Sequence, residues 1–375
     1  MKNRPGPSGF AMSPEIVIGW DIGGAHVKAA RVVQGRVLDV AQWACPLWQG
    51  LAQLDAALGE AVARWPDLAR ATHAVTMTGE MADLFEHREA GVSALAQRFA
   101  AHLGARVVFY AGEAGWCALD GVAAHWARIA SANWLATAQV VASRLRDAVL
   151  IDIGSTTTDL IPVRGGRIVA RAADDAGRLR TGELVYQGVV RTPLCALAQR
   201  VGFRGETYNV MNEHFATTAD LYRLTGELQP MHDQHPAADG GGKDAAATRR
   251  RLARMLGHDA RDATDSEWMA LAHHWRDLQL AHLAANLTRV LGASALAHDA
   301  VVVAAGCGAF LAEALAASCG YEVVRFATLV EARADAAAWA QVCAPGAAVA
   351  LLFAGSARRE ATSMASAAGA HAVLV

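Results

Sequence analysis

The sequence predicts an α/β protein of two domains around a central cleft, in which each domain carries a β-hairpin loop suited to phosphate. The main observation is that the segment Asp21–Lys28 recurs in altered form as Asp152–Asp159, with the same order of aspartate, small-residue turn and returning strand. The chain of 375 residues is also long for a single core. Apolar strands alternate with helical segments in both halves, which is typical of layered α/β domains and predicts a largely parallel sheet in each half.

The first half, residues 15–147, begins with a predicted meander of three strands. A tail at 1–14 contains prolines and glycines and is expected to be disordered. Apolar spacing and turn residues then indicate a helix over 51–65 and a long helical region over 114–143. Strands are predicted at 15–20, 27–33, 36–43, 73–78 and 106–110.

The second half, residues 148–375, repeats the meander and then departs from the first half. A helix is predicted over 183–200, and an inserted helical and loop region at about 205–295 includes a polar, glycine-containing loop at 232–243. The helix 244–257 carries the run Arg249–Arg254, which is expected to form a solvated face, and the role of 232–265 stays open. Strands are predicted at 148–153, 159–163, 167–171 and 300–305.

Composition favours a small-molecule partner. The net charge is −2 and no basic stripe is interleaved with aromatics, so neither nucleic acid nor a lipid surface is expected as a partner. The six cysteines form no C-x-x-C pair, and the amino terminus has no apolar run of the kind found in signal peptides. These features predict a cytoplasmic protein, which is compatible with a homodimer.

The two hairpins offer the chemistry of a phosphate clamp. In both copies an aspartate ends a strand, and a turn of small residues exposes backbone N–H groups to a ligand. Asp21 and Asp152 are expected to hold Mg²⁺ together with phosphate oxygens, and Lys28 would neutralise phosphate charge. His26 is either a phosphate donor or a bystander. The expected phosphate-binding residues are Gly23, Gly24, His26, Gly154, Ser155, Thr156 and Thr157.

A third glycine turn, at Gly306 and Gly308, follows an apolar strand and precedes a helix. Two facing hairpins followed by such a turn resemble the superfamily of acetate and sugar kinases, heat-shock ATPase chaperones and actin. That resemblance implies two actin-like ATPase (ribonuclease H-like) domains, with the hairpins clamping phosphates from opposite sides. It also implies that the third turn lies against the adenosine or an equivalent part of the substrate.

Four further segments narrow the resemblance. They are Thr76–Asp83, Ala130–Trp134, Tyr186–Pro193 and Asn209–Thr217. Together with the second hairpin they look like the hydantoinase/oxoprolinase-related branch, and more narrowly like the synthases of methanofuran-type cofactors, which are linked to tetrahydromethanopterin-dependent one-carbon metabolism. The resemblance spans about residues 16–308.

The resemblance implies a transferase that forms an aryl-alkyl ether. Such enzymes are understood to join an (aminomethyl)furanylmethyl diphosphate to the phenol oxygen of γ-glutamyltyramine, or of a tyrosine-derived analogue, with release of diphosphate. ATP fits the same loops but is not expected to be the donor. One alternative is an ATP-dependent small-molecule kinase or hydantoinase-like enzyme. Another is a nucleotide-gated binding protein without catalytic activity.

Several single residues have two interpretations each. Asp159 either orients the second hairpin or accepts a proton. Glu80 and Asp83 are predicted one turn apart at a helix start, where they either favour the helix dipole or act as general base or ammonium clamp. Arg191 is a candidate ligand for diphosphate or for a glutamate carboxylate. The residues that either line the substrate pocket or pack in the core are Asn133, Tyr208 and Asn209.

Overall fold

The structure is a computed structural model that describes residues 16–296 and 299–372, with side chains described as far as residue 359. The tail predicted to be disordered, 1–14, lies outside the described residues. Two mixed six-stranded sheets and a separate two-stranded ribbon account for the described strands.

The first sheet confirms the predicted meander. Its strand order is β3-β2-β1-β4-β5-β6, in which β1 to β3 are antiparallel neighbours and β4 and β5 run parallel to β1. The sheet is therefore mixed, whereas the alternation of strands and helices predicted a largely parallel one. The strands are β1 (Ile16–Ile22), β2 (His26–Val33), β3 (Arg36–Ala44), β4 (Thr72–Met77), β5 (Val107–Tyr110) and β6 (Trp116–Cys117).

The second sheet repeats this plan in the order β10-β8-β7-β13-β14, with β9 paired to β8. Asp21 stands opposite Lys28 across the first hairpin, and Asp152 stands opposite Asp159 across the second, so the repeat seen in sequence is a repeat in register. The remaining strands are β7 (Ala148–Ile153), β8 (Thr158–Arg164), β9 (Arg167–Ile168), β10 (Leu184–Val185), the ribbon β11 (Arg200–Phe203) and β12 (Glu206–Asn209), β13 (Val301–Ala305) and β14 (Val323–Arg325).

Three of the described helices pack against the sheet of the other half of the chain. Helix α4 belongs to the first half but packs against β7 and β8, and helices α10 and α11 belong to the second half but pack against the first sheet. The expected domains 15–147 and 148–375 thus exchange helices. The helices are α1 (Ala52–Arg64), α2 (Arg88–Leu103), α3 (Val122–Ile129), α4 (Asn133–Arg144), α5 (Asp175–Thr181), α6 (Thr218–Thr225), α7 (Ala245–Arg254), α8 (Asp265–Ser294), α9 (Ala309–Cys319), α10 (Ala334–Val342) and α11 (Ala344–Ala372).

Small residues make the crossing of α11 possible. A Cβ atom on Gly19 of β1 would lie 2.1 Å from the Gly346 carbonyl oxygen and 2.7 Å from the Ala350 Cβ. The helix therefore lies directly on the strand, with backbone close to backbone. Buried residues of α4, α11 and both sheets form one continuous apolar cluster between the halves.

Two predicted helices differ from the structure. The region 114–143 is divided into α3 and α4 at Ser131, whose φ of 52° interrupts the helical path. The segment 183–200 contains β10 and an irregular stretch instead of a helix. Its N–H groups at Val190 and Arg191 donate to the Ser155 carbonyl oxygen, so they cannot form helical hydrogen bonds.

The inserted region also differs from the sequence-based prediction. The run Arg249–Arg254 is not a solvated face throughout, because Arg251 is fully buried and donates to Asp220 at 2.8 Å and to Asp239 at 3.0 Å. The predicted N-cap is confirmed, since the Asp244 side chain accepts from the Ala247 N–H at 2.9 Å.

Within the described residues, no single helix is both long enough and apolar enough to cross a membrane. Helix α10 and the stretch Ala344–Arg359 satisfy those two criteria only as a pair, and the pair is bent by 110°.

Candidate active site

The two hairpin turns open into one cavity of about 530 Å³. We call residues 23–25 the first loop and residues 154–157 the second loop. Fourteen of the predicted site residues line this cavity, namely Asp21, Gly23, Gly24, His26, Lys28, Asp83, Asn133, Asp152, Gly154, Ser155, Thr156, Thr157, Asp159 and Arg191. The fold therefore brings the two copies of the motif together from separate sheets.

The two loops have matching internal geometry. The Gly23 N–H donates to the His26 carbonyl oxygen at 2.9 Å, and the Gly154 N–H donates to the Thr157 carbonyl oxygen at 2.8 Å. Within the described chain, no acceptor takes the N–H groups of Gly24, Ala25, Ser155 or Thr156. Each loop can therefore offer backbone donors to an anionic ligand.

Backbone N–H groups of neighbouring segments hold the carbonyl groups of both loops by hydrogen bonds. The Ser155 carbonyl oxygen accepts from Val190 and Arg191, and the Ala25 carbonyl oxygen accepts from Cys45 at 2.8 Å. The second loop also depends on Gly188, where a Cβ would lie 2.4 Å from the Thr156 nitrogen. The chain after β10 thus lies directly against this loop and fixes its shape.

Three charged side chains form the centre of the cavity. Burial raises the pKa of Asp21 to about 6 although Lys28 opposes the rise. Burial and the neighbouring Asp159 raise the pKa of Asp152 to about 7. Burial would lower the pKa of Lys28, but the adjacent carboxylates, first of all Asp21, raise it instead, so the ammonium stays charged.

Asp159 pairs with an arginine that the sequence did not single out. The Arg178 guanidinium donates to Asp159 Oδ1 at 2.5 Å and also lies over the Trp134 ring at 4.2 Å. Burial raises the pKa of Asp159 and Arg178 opposes that rise. The carboxylate is thus an ion-pair partner in the cavity wall, which favours the orienting role over that of a free base.

The cavity favours a hard cation bound together with phosphate. Its lining carries five aspartates but only three basic side chains that are charged at neutral pH. The buried Asp21 Oδ1 atom has no hydrogen-bond partner in the described part of the molecule. No three His, Cys, Asp or Glu residues among those described are grouped so that they could hold a metal unaided. These donors fit Mg²⁺, which binds through one or two carboxylates and takes its other ligands from phosphate and water.

Glu80, Ser131 and Asp175 form a hydrogen-bonded group that we call the acidic wall, and sequence reasoning missed Ser131 and Asp175. Ser131 Oγ is 2.7 Å from Glu80 Oε1 and 2.8 Å from Asp175 Oδ2. Arg88 Nη2 donates to Ser131 Oγ at 3.3 Å. Ser131 lies within the family-specific Ser-Ala-Asn-Trp segment, which was a usable signal. Asp175 follows the N-cap of α5 and had no signal of its own.

Glu80 and Asp83 are not at a helix start. Glu80 lies in a 3₁₀ turn, Gly79–Met81, and α2 begins only at Arg88. The Glu80 side chain is buried and does not line the cavity, whereas Asp83 is exposed and lines it. The helix-dipole interpretation therefore does not apply to either carboxylate.

The cavity mouth is built from aromatic and basic side chains. The Arg191 guanidinium lies 4.6 Å from the centre of the Trp48 ring, and its Nη1 is 3.5 Å from Thr156 Oγ1. The rings of His26 and His235 are 4.5 Å apart, and burial first of all lowers the pKa of His26 well below its ordinary value. His26 is therefore neutral, and its buried Nε2 has no partner among the described residues.

Four predicted pocket residues lie elsewhere. At Gly306 a Cβ would meet Asp152 Oδ1 at 2.5 Å, so the glycine turn packs beneath that carboxylate and outside the cavity lining. Gly308 donates to the Ile153 carbonyl oxygen at 2.8 Å and has the same supporting role. Tyr208 and Asn209 are in β12, where the Tyr208 ring packs against Phe203.

Asn133 does line the cavity, as one of its two interpretations required. Its Oδ1 accepts from the N–H of the next residue, Trp134, at 2.8 Å, at the start of α4.

Comparison with known proteins places the chain in a family. Residues 71–352 match the hydantoinase/oxoprolinase family. A protein of Methanocaldococcus jannaschii is 29% identical over 259 residues, which cover 69% of this chain and 76% of that protein. A protein of Methanococcus vannielii is 29% identical over 145 residues, which cover 39% of this chain and 65% of that protein. Both are named (4-{4-[2-(gamma-L-glutamylamino)ethyl]phenoxymethyl}furan-2-yl)methanamine synthase.

Among solved structures, acetone carboxylase without nucleotide is similar at a TM-score of 0.54 and 12% identity, covering 89% of this chain and 70% of that one. At this identity the likeness concerns the fold alone. Together with the duplicated hairpins, it confirms the predicted actin-like ATPase class.

Proposed function

This chain belongs to the hydantoinase/oxoprolinase family, and we propose that within it the chain is a transferase of methanofuran biosynthesis. The reaction joins an (aminomethyl)furanylmethyl diphosphate to the phenol oxygen of γ-glutamyltyramine or a tyrosine-derived analogue, and diphosphate leaves. The names of the two relatives support this assignment. The observation that carries it is one cavity lined by both phosphate loops and Lys28 and also by the acidic residues Asp83 and Asp175.

The clamp fits the leaving group. In the proposed reaction, the free N–H groups of both loops and the charged Lys28 would stabilise the negative charge that develops as the carbon–oxygen bond to diphosphate breaks. Preorganised donors of this kind stabilise a transition state more than the ground state, and loss of one donor typically costs about 10²–10³ in kcat. Departure of diphosphate is the difficult event because the furfuryl carbon can carry positive charge.

A divalent cation would complete the clamp. Asp21 and Asp152 would hold Mg²⁺, which would supply charge neutralisation on the diphosphate oxygens. The raised pKa values of both carboxyl groups reflect burial among like charges, and a bound cation removes that penalty.

The acidic wall fits the organic part of the substrate. An aminomethyl group is protonated at neutral pH, and Asp83 and Asp175 line the cavity. Carboxylates near the reacting carbon would also stabilise positive charge on the furfuryl group. Neither ATP nor a sugar carries a cation that this wall would select.

A product assay tests the proposal. We expect diphosphate release and formation of the ether, detected by mass spectrometry, when the protein is mixed with synthetic furan diphosphate, γ-glutamyltyramine and Mg²⁺. Parallel reactions with ATP are expected to yield no ADP. Formation of ADP without any ether from a panel of phenols would contradict the assignment and favour the kinase alternative.

A further inference from the structure

One hydroxyl group in the acidic wall stands between two carboxyl groups. Ser131 Oγ lies 2.7 Å from Glu80 Oε1 and 2.8 Å from Asp175 Oδ2. A serine hydroxyl donates a single hydrogen bond, so it cannot donate to both carboxyl groups at once. Both short contacts are satisfied when Ser131 donates to one carboxyl group and the other carboxyl group, in its protonated form, donates to Ser131.

Burial identifies Glu80 as the protonated group. Its side chain is 0% exposed and its Oε2 has no partner among the described residues, whereas the Asp175 side chain is 15% exposed and lines the cavity. Burial raises the pKa of Glu80, against the opposing effects of Ser131 and Arg88. These observations favour a chain of hydrogen bonds in which Glu80 donates to Ser131 and Ser131 donates to Asp175 at the cavity lining.

The backbone maintains this arrangement at a cost. Ser131 has a φ of 52°, a left-handed conformation that non-glycine residues rarely adopt. Residues held in such conformations cluster at active sites, because the surrounding structure must enforce them. Here the conformation separates α3 from α4 and directs the hydroxyl group between the two acids.

We propose that Asp175 is the catalytic residue that accepts the proton of the phenol, and that Ser131 and Glu80 position it. The inference rests on the proposed function. In the step, the carbon–oxygen bond to diphosphate breaks and its electron pair leaves with diphosphate. The phenol oxygen bonds to the methylene carbon, and its proton moves to a carboxylate oxygen of Asp175. The proton later passes to solvent through the cavity mouth.

The charges around Asp175 suit this step. Two guanidinium groups face it, with Arg88 Nη2 and Arg178 Nη1 each 3.9 Å from its oxygens, and the buried Glu80 and the ion-paired Asp159 complete its surroundings. When the phenol oxygen attacks an electron-poor carbon, the proton on that oxygen becomes strongly acidic, so a carboxylate is sufficient to accept it. General-base catalysis typically contributes about 10²–10⁴ in rate.

Phenols of different acidity provide the test. Asp175→Asn is nearly isosteric and can still accept from Ser131, so it removes the base with little change in shape. With γ-glutamyltyramine we expect kcat to fall about 10²-fold. With its ring-tetrafluorinated analogue, whose phenol is ionised at the assay pH, the loss relative to wild type should shrink to about tenfold or less, because no base is required. An equal loss with both phenols would overturn the proposal.

Variants of the positioning residues provide a second test that does not depend on how Asp175→Asn folds. Ser131→Gly suits the positive φ, so the thermal midpoint should not fall. Its kcat should fall about tenfold with γ-glutamyltyramine and should recover with the fluorinated phenol. Glu80→Gln keeps a donor towards Ser131 and should lose less than Asp175→Asn, whereas a larger loss would make Glu80 the base. A wild-type protein that forms no ether with either phenol would refute the proposed function itself.

Discussion

Replacing Asp152 by asparagine tests how the burial of its charged carboxylate in the cavity affects folding stability. Burial and Asp159 raise the pKa of this carboxyl group from 3.8 to about 7. Between these two pH values the folded protein keeps a proton that the unfolded chain has released, so folding stability falls as the pH rises through this window. A shift of about three pH units, at about 1.4 kcal/mol each, sets an upper limit of about 4 kcal/mol. Neighbouring carboxyl groups share the effect, so we expect about 2–4 kcal/mol.

Asparagine carries no charge at any pH. The variant should therefore be more stable than the wild type by about 2–4 kcal/mol at pH 8, while the two should be alike near pH 4. Urea denaturation at pH 4, 6 and 8 in metal-free buffer measures this difference. The exposed Asp120, changed to asparagine, is the matched control and should stay within about 0.5 kcal/mol of the wild type throughout.

The same variant separates stability from function. Because Asp152 ends β7 inside the cavity, Asp152→Asn should keep the fold and lose turnover by about 10²-fold. If Asp152→Asn and the wild type differed in stability by the same amount at pH 4 and pH 8, the buried charge of Asp152 would not be the cause of the difference. Unchanged turnover would remove Asp152 from the mechanism.

Three further predictions concern the clamp and the inserted region. Lys28→Met should lower kcat about 10²-fold with a smaller change in KM, because the ammonium acts on developing charge, and steady-state kinetics measures this split. Gly188→Ala should weaken Mg²⁺–diphosphate binding at least tenfold by calorimetry, since its Cβ would meet the second loop at 2.4 Å, whereas Gly59→Ala on the exposed face of α1 should bind normally. Arg251→Met should cost about 1–3 kcal/mol by denaturation, because the buried Asp220 loses one of its two guanidinium partners and keeps Arg223; an unchanged stability would contradict this reasoning.

The phosphate loops were predictable because their signal is local. A strand-end aspartate, a small-residue turn and a returning strand follow one another within eight residues, and this motif occurs twice in the sequence. The pairing of Asp21 with Lys28 and of Asp152 with Asp159 needs only the hairpin itself. Local chemistry of this kind determines the turn before any tertiary contact forms.

The course of the segment 183–200 was not predictable because it depends on distant packing. The buried residues Val185, Val189, Val190 and Leu194 are spaced as on one face of a helix, yet the segment is mostly irregular. Their burial comes from contact with the second loop and the core of the second half, and their N–H groups bond to loop carbonyls. Periodicity reports which residues are buried, but it does not report what covers them. The crossing of α4 and α11 escaped prediction for the same reason.

The proposed function gives the two kinds of residue in the cavity lining separate roles. A nucleoside triphosphate carries no cation of its own for Asp83 and Asp175, which line the cavity. In the proposed reaction, the phosphate loops would bind the diphosphate end of the substrate and the acidic residues would bind its ammonium group. The clamp alone is compatible with many phosphate ligands. The wall of Ser131, Glu80 and Asp175 is therefore the part of the site that should determine which of them reacts.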